Sequence, residues 1–358
     1  MRRRTTFAAL TILAAVMLAP VLTADSAGSG ADTNPRGYPI PEVLPTERTA
    51  FTRRFAAEAG EMVLDPVPFG EIWAYLMHGE ERYLTSSAPI TDIAYFSAAI
   101  SSKGVLYGAP PVKNLASVKA RKHLVVAEVS NQALIHFVLN KAYPLRDRLL
   151  KDIVAAASGY DGVNIDFENM RADDGPAYLE FLKLLKAKLG RKILSVCVPA
   201  RTRKYADAYD YAKIAAIADR VFVMSYDEHW SGSAAGPVAS ISWAAKVAEW
   251  AVQAVGARKL IMGMPFYGRA WADRNPAGAY KYSSAQRVLG ERGLWPSRDR
   301  EGVAYVRFAE TVNYVMYFDD AVSTRRRAFA FSERGVDKVG FWRLGQEDPD
   351  VWGVLARR

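Results

Sequence analysis

The chain has one cysteine in 358 residues, Cys197, so no disulfide can form within it. A chain of this length, half of it hydrophobic, can bury a core that needs no such staple. Cys197 sits in the apolar run 193–198 and reads as a buried strand residue, not as a reactive thiol. Histidine is scarce too. His78, His123, His136 and His229 show no metal-ligand spacing, so neither a metal nor an organic cofactor is expected. His229 stands close to the Tyr226-Asp227 turn, where it either lines a cleft or lies on the surface. A glycine-rich phosphate loop is missing after the first strand: Met77-His78-Gly79-Glu80 offers none, which argues against an open dinucleotide-binding sheet. Internal repeats are absent. Runs of one charge are nearly so. The exception, Arg325-Arg326-Arg327, falls in a helical stretch and reads as a solvated face, not a nucleic-acid patch.

Long apolar runs are likewise few. Residues 7–22 follow a basic Arg2-Arg3-Arg4 segment and precede Leu22-Thr23-Ala24, a passable cleavage site, so residues 1–24 are expected to be a signal peptide. As a membrane anchor the run is short, at the low end of about 17–25 residues. Export follows as an expectation, to the periplasm, the cell envelope or the medium, with no membrane contact after cleavage. Formal net charge is +9; without the three leading arginines 44 basic residues face 38 acidic ones, a net +6. That excess suits acidic envelope polymers as well as an ordinary soluble surface. Residues 25–70 read as a linker and N-terminal extension, rich in Gly, Ser, Pro and Asp up to about 46, with a short helix possible over 47–60.

From residue 71 short β-branched and aromatic runs alternate with helix-period segments. The strand candidates are 72–77, 92–98, 123–129, 162–168, 193–199, 221–226, 260–265 and 339–344. Between them, 146–157 puts Leu149, Leu150, Ile153 and Val154 on one stripe, and 178–189 does the same with Leu182, Leu185 and Leu189. Strands alternating with helices predict a parallel sheet with helical crossovers, and eight of them predict a closed (β/α)8 barrel over 71–358. The interval after Tyr267 is too long for one loop and helix. Its Tyr280, Tyr282, Val303, Tyr305, Val306 and Phe308 favour strands, and 312–318 reads as another, so a small α+β lobe is expected over 272–318.

The stretch with the most chemistry is Tyr160-Asp161-Gly162-Val163-Asn164-Ile165-Asp166-Phe167-Glu168-Asn169. As a strand it sends Val163, Ile165 and Phe167 to one face and Asn164, Asp166 and Glu168 to the other. Carboxylates are rarely buried without a partner or a task. Two of them about 6–7 Å apart in a low-dielectric site resist ionising together, so one keeps its proton more easily. A proton donor beside a charged carboxylate can cleave a glycosidic bond. An edge strand with a solvated polar face is the plain alternative.

These residues resemble the DGxDxDxE strand of glycoside hydrolase family 18, the chitinases, with Asn164 in place of the first Asp of the inner pair. The form DGVNIDFEN is similar to that of members acting on N-acetylglucosamine linkages in bacterial cell walls. Met224-Ser225-Tyr226-Asp227 resembles the family's sixth-strand MxYD motif. Gly263 to Trp271 resembles its seventh strand, and Gly340-Phe341-Trp342 its eighth. Where SxGG is expected at the third strand, this chain has Val129-Ser130-Asn131-Gln132-Ala133, a departure that points away from a typical chitin-degrading enzyme.

The resemblance implies a retaining, substrate-assisted hydrolase of β-1,4-linked N-acetylglucosamine polymers, peptidoglycan or chitin, with Glu168 as acid and base. Asp166 would hold the acetamido N–H, and Tyr226 its carbonyl oxygen. Asn164, Met224, Asp227, Tyr267, Arg269 and Trp342 would bind substrate, Trp342 as the floor of the cleavage subsite. A neutral Asn164 cannot share a proton with Asp166 as an Asp would, so a different pH profile is expected. No carbohydrate-binding module is visible, and a monomer is expected. A non-catalytic glycan-binding protein and an envelope scaffold are the competing readings; the retained Glu168 speaks against the first.

Overall fold

The computed structural model describes residues 65–273, 277–309 and 313–358. The expected signal peptide, nearly all of the linker and the possible helix at 47–60 lie outside them.

Eight parallel strands form the framework: β1 (Glu71–Met77), β2 (Asp92–Ile100), β3 (Arg121–Glu128), β4 (Gly162–Phe167), β5 (Ile193–Pro199), β6 (Arg220–Met224), β7 (Leu260–Pro265) and β8 (Lys338–Trp342). Each pairs with its neighbour in sequence, and β8 pairs with β1, so the sheet closes into a barrel. The crossovers are α1 (Gln132–Leu139) and α2 (Leu145–Ala156) after β3, α3 (Gly175–Leu189) after β4, α4 (Tyr211–Ile217) after β5 and α5 (Ile241–Val255) after β6. Among the described residues no helix is long and apolar enough to cross a membrane.

Strand parity divides the core in two. Outward residues pack under the helices; Phe167 meets Tyr178 and Phe181 of α3 at ring distances of 6.2 and 5.8 Å. Burying side chains of this kind contributes about 1.5–3 kcal/mol each. Helix α3 starts with Pro176 in its first turn and stops at Gly190, which takes φ +60°. Inward residues fill the barrel, among them Trp73, Tyr75, Val125, Cys197, Phe222 and Ile261. Phe222 fits because β7 and β8 present glycines to it. A Cβ on Gly263 would lie 2.6 Å from its ring and one on Gly340 2.3 Å.

The end of the barrel where the strands begin is closed by charge. Glu71 accepts from Arg220 and, at 2.9 Å, from the Trp73 indole, and Arg121 lies 3.0 Å from it. Asp92 accepts from Arg121 at 2.7 and 2.8 Å and bonds His123 at 2.7 Å. Outside the barrel, Val67–Phe69 pairs in parallel with Leu355–Arg357.

Between β7 and β8 stands a five-stranded antiparallel sheet with helix α6 (Tyr282–Arg292), followed by helix α7 (Ala321–Ser332). Its first strand is Tyr267–Ala272, so Tyr267 and Arg269 belong to this lobe and not to the seventh barrel strand that the sequence motif suggests. The triple arginine on α7 is not a solvated face. Arg327 is fully buried and donates to Asp319 at 2.8 Å and to the Ala239 carbonyl at 2.5 Å, while Arg326 donates to the Glu301 carbonyl.

Candidate active site

The strand ends at the opposite mouth gather the polar side chains. Asn164 and Asp166 project into the barrel from β4, both buried. Glu168 is the first residue past the strand and only partly buried. The chain turns sharply there, since Asn169 adopts φ +54°, held by its amide on the Val129 carbonyl at 2.8 Å. Asparagine tolerates this left-handed backbone better than most residues.

Around Asn164 lies a closed polar network. Its Oδ1 accepts from the Tyr75 hydroxyl at 3.0 Å and from the Cys197 thiol at 3.4 Å; its Nδ2 donates to Ser195 Oγ at 2.9 Å. Tyr75 and Cys197 are themselves 3.0 Å apart. Asp166, by contrast, has a buried Oδ1 with no hydrogen-bond partner. Burial pushes its carboxyl up to about 6, with the Cys197 thiol pulling the other way. The Glu168 carboxyl stands well above the usual range, first through burial, then through the charges of Asp166 and Asp227. Of the two neighbouring carboxyls, Glu168 is the one that the other's charge holds towards its protonated form, which is what a proton donor needs.

Beyond β6, Ser225 Oγ donates to the Gly263 carbonyl at 2.6 Å and fixes the turn that carries Tyr226. Burial pushes the Tyr226 phenol up, so it stays a neutral donor. Asp227 takes φ +59°, and its Oδ1 accepts from Tyr267 Oη at 2.7 Å and Arg269 Nη2 at 2.9 Å. Those two lobe residues thus reach the site through Asp227. Met224, like Tyr226 and Trp342, packs against the inward-facing cluster. The Trp342 ring rests against Tyr75 and Phe96, with centroids 5.2 and 5.3 Å away, and its peptide to Arg343 is cis. At the third strand, Asn131 caps α1 by accepting from Leu134 N at 2.9 Å. His229 bonds the Pro237 carbonyl at 2.8 Å.

Sequence reasoning brought Asn164, Asp166, Glu168, Tyr226 and Trp342 to one mouth but missed Tyr75, Ser195 and Cys197. The signal was available. Ser195 and Cys197 are two polar side chains at alternate positions of an apolar run, the same pattern that singles out Asn164 and Asp166. Among the described residues no group of three or more His, Cys, Asp or Glu side chains could hold a metal ion.

The family model described as glycosyl hydrolases family 18 matches residues 130–347. The uncharacterized glycosylase YvbX of Bacillus subtilis (strain 168) is 27% identical over 290 residues, covering 74% of this chain and 83% of its own. The cortical fragment-lytic enzyme of the same organism is 26% identical, covering 76% and 68%. Among solved structures, the Bacillus cereus spore cortex-lytic enzyme SleL superposes with a TM-score of 0.74 at 21% identity, over 83% of this chain and 77% of its own.

Proposed function

The chain belongs to glycosyl hydrolases family 18 and is a glycosidase, and from that premise we propose that it cuts β-1,4 linkages of an N-acetylglucosamine-containing wall polymer, peptidoglycan before chitin, by a retaining, substrate-assisted route. The observation that carries the mechanism is the pairing of a buried Asp166, whose Oδ1 has no hydrogen-bond partner, with a Glu168 biased towards its protonated form at the barrel mouth.

In this reading Glu168 gives its proton to the glycosidic oxygen as the bond to the anomeric carbon breaks. The carbonyl oxygen of the substrate's own 2-acetamido group attacks that carbon from the other face and closes an oxazolinium ring. Intramolecular attack of this kind reaches effective molarities of about 10⁵–10⁸ M. Asp166 accepts the acetamido N–H and balances the ring's positive charge, which requires it ionised. Tyr226 donates to the acetamido carbonyl oxygen and aligns it. Water then adds to the anomeric carbon, Glu168 takes its proton, and the ring opens with configuration retained. Trp342 offers its indole face to the sugar, and Asp227, braced by Tyr267 and Arg269, adds its charge to that of Asp166 in holding the proton on Glu168.

Three features favour a bacterial wall polymer: the name of the cortical fragment-lytic relative, the missing SxGG segment and Asn164. The leader read over residues 1–24 would deliver the protein to that polymer. The test is turnover of a fluorogenic N,N′-diacetylchitobioside by the mature protein and by Glu168→Gln. A loss of about 10²-fold or more is expected; equal rates would remove Glu168 as the acid. Muropeptide analysis of digested walls, set against chitin digests, decides the polymer.

A further inference from the structure

The loop after β5 is tied to the catalytic strand and carries charge that nothing in the fold uses. Tyr209 Oη donates to the Phe167 carbonyl at 2.8 Å, one residue before Glu168, so the loop is pinned at the mouth. Arg201 is braced within it, donating to Asp207 from Nε at 3.1 Å and Nη2 at 2.6 Å, which neutralises its charge. Its guanidinium also lies 4.7 Å from the ring centre of Tyr205. Arg203 lies 5.2 Å from the same ring. Tyr205 is 45% exposed, and Arg203 and Lys204 are exposed beside it. Among the described residues neither Arg203 nor Lys204 has a carboxylate within ion-pair distance, although most arginines at this mouth do: Arg171, Arg201, Arg269 and Arg343 are all paired.

A guanidinium held on an aromatic ring has lost part of its freedom before a ligand arrives, which lowers the entropic cost of binding. A planar guanidinium also matches a carboxylate better than it matches any neutral sugar hydroxyl. We infer that Arg203 and Lys204, with Tyr205 as the post that holds Arg203, form a subsite for carboxylate groups borne on the glycan. Chitin carries none. A peptidoglycan strand carries them on the lactyl ether of alternate sugars and on the stem peptides attached there. The subsite rests on the wall-polymer reading above and narrows it to the acidic polymer.

Three soluble substrates test it: neutral chitotetraose, glycan strands stripped of peptide but keeping the lactyl carboxylate, and strands with stem peptides intact. The double variant Arg203→Gln, Lys204→Gln changes two exposed positions. Its ratio of kcat/KM on acidic strands to that on chitotetraose is expected to fall on the order of tenfold, through KM, with the gap narrowing at high salt. A fall on both acidic substrates assigns the lactyl carboxylate; a fall only with peptides present assigns the peptide carboxylates. An unchanged ratio overturns the subsite. Binding of the same strands to Glu168→Gln, with and without the two loop changes, keeps the question separate from turnover. If the acid variant holds acidic strands and loses them when the loop charges go, the subsite stands even if the mature protein cuts none of the three, an outcome that would sink the hydrolytic reading alone.

Discussion

At the scale of single residues, Cys197 matters more than its apolar surroundings suggest. Asn164 donates to Ser195, and the thiol, not this amide, is the group that opposes the effect of burial on the Asp166 carboxyl. Removing it should let the Asp166 pKa rise above its value of about 6. The catalytic scheme needs Asp166 ionised, so activity is gained as pH rises through that pKa. Cys197→Ala is therefore expected to move the acid limb of kcat/KM to higher pH, while Cys197→Ser, which keeps a donor, leaves it near the original position. Both variants tracing the parent curve would show that the thiol does not tune Asp166. The Asp166–Glu168 pair was legible in the sequence because two acids at alternate strand positions break an apolar pattern. The Tyr75 and Cys197 contacts were not, because they join strands 89 and 33 residues away from Asn164, and only barrel closure brings them together.

Elements tell a similar story. All eight strands could be read from their apolar runs, two of them to the residue, since strands buried on both faces are nearly continuous in hydrophobicity. Less visible was what the small residues do. Gly340 on β8 leaves room for Phe222, whose ring in turn stands edge-on to Tyr75 at 5.2 Å. A methyl group there would overlap that ring, so Gly340→Ala is expected to cost about 1–3 kcal/mol in urea unfolding. A drop in kcat should accompany it as Tyr75 shifts; a variant as stable and active as the parent would mean that the interior yields freely. The lobe's first strand was read as the tail of β7, because Pro265 and Tyr267 sit one residue apart and no composition change marks where a parallel strand hands over to an antiparallel one. Arg327 was misread for a related reason: a run of arginines looks solvated until its partners, Asp319 and a carbonyl 88 residues away, are known.

For the whole molecule, the charged closure beneath the barrel is expected to contribute to the response to acid. Burial alone would raise the Glu71 carboxyl, but hydrogen bonds from Arg220 and Trp73 and the guanidinium charges hold it down, at about 2 against an ordinary 4.5. A depressed carboxyl stabilises the folded state above its unfolded pKa and loses that contribution as pH falls through the folded value. The urea midpoint should accordingly decline between pH 4.5 and 2, and less steeply in Glu71→Gln; parallel declines would place the acid sensitivity elsewhere. The clasp of Val67–Phe69 on Leu355–Arg357 has a mechanical consequence. Because these strands run in the same direction, tension applied ahead of Val67 and at Arg358 pulls them along their length in opposite senses. Their hydrogen bonds then share the load in shear instead of unzipping singly, and the barrel is guarded by a latch that resists stretching better than its three paired residues would suggest.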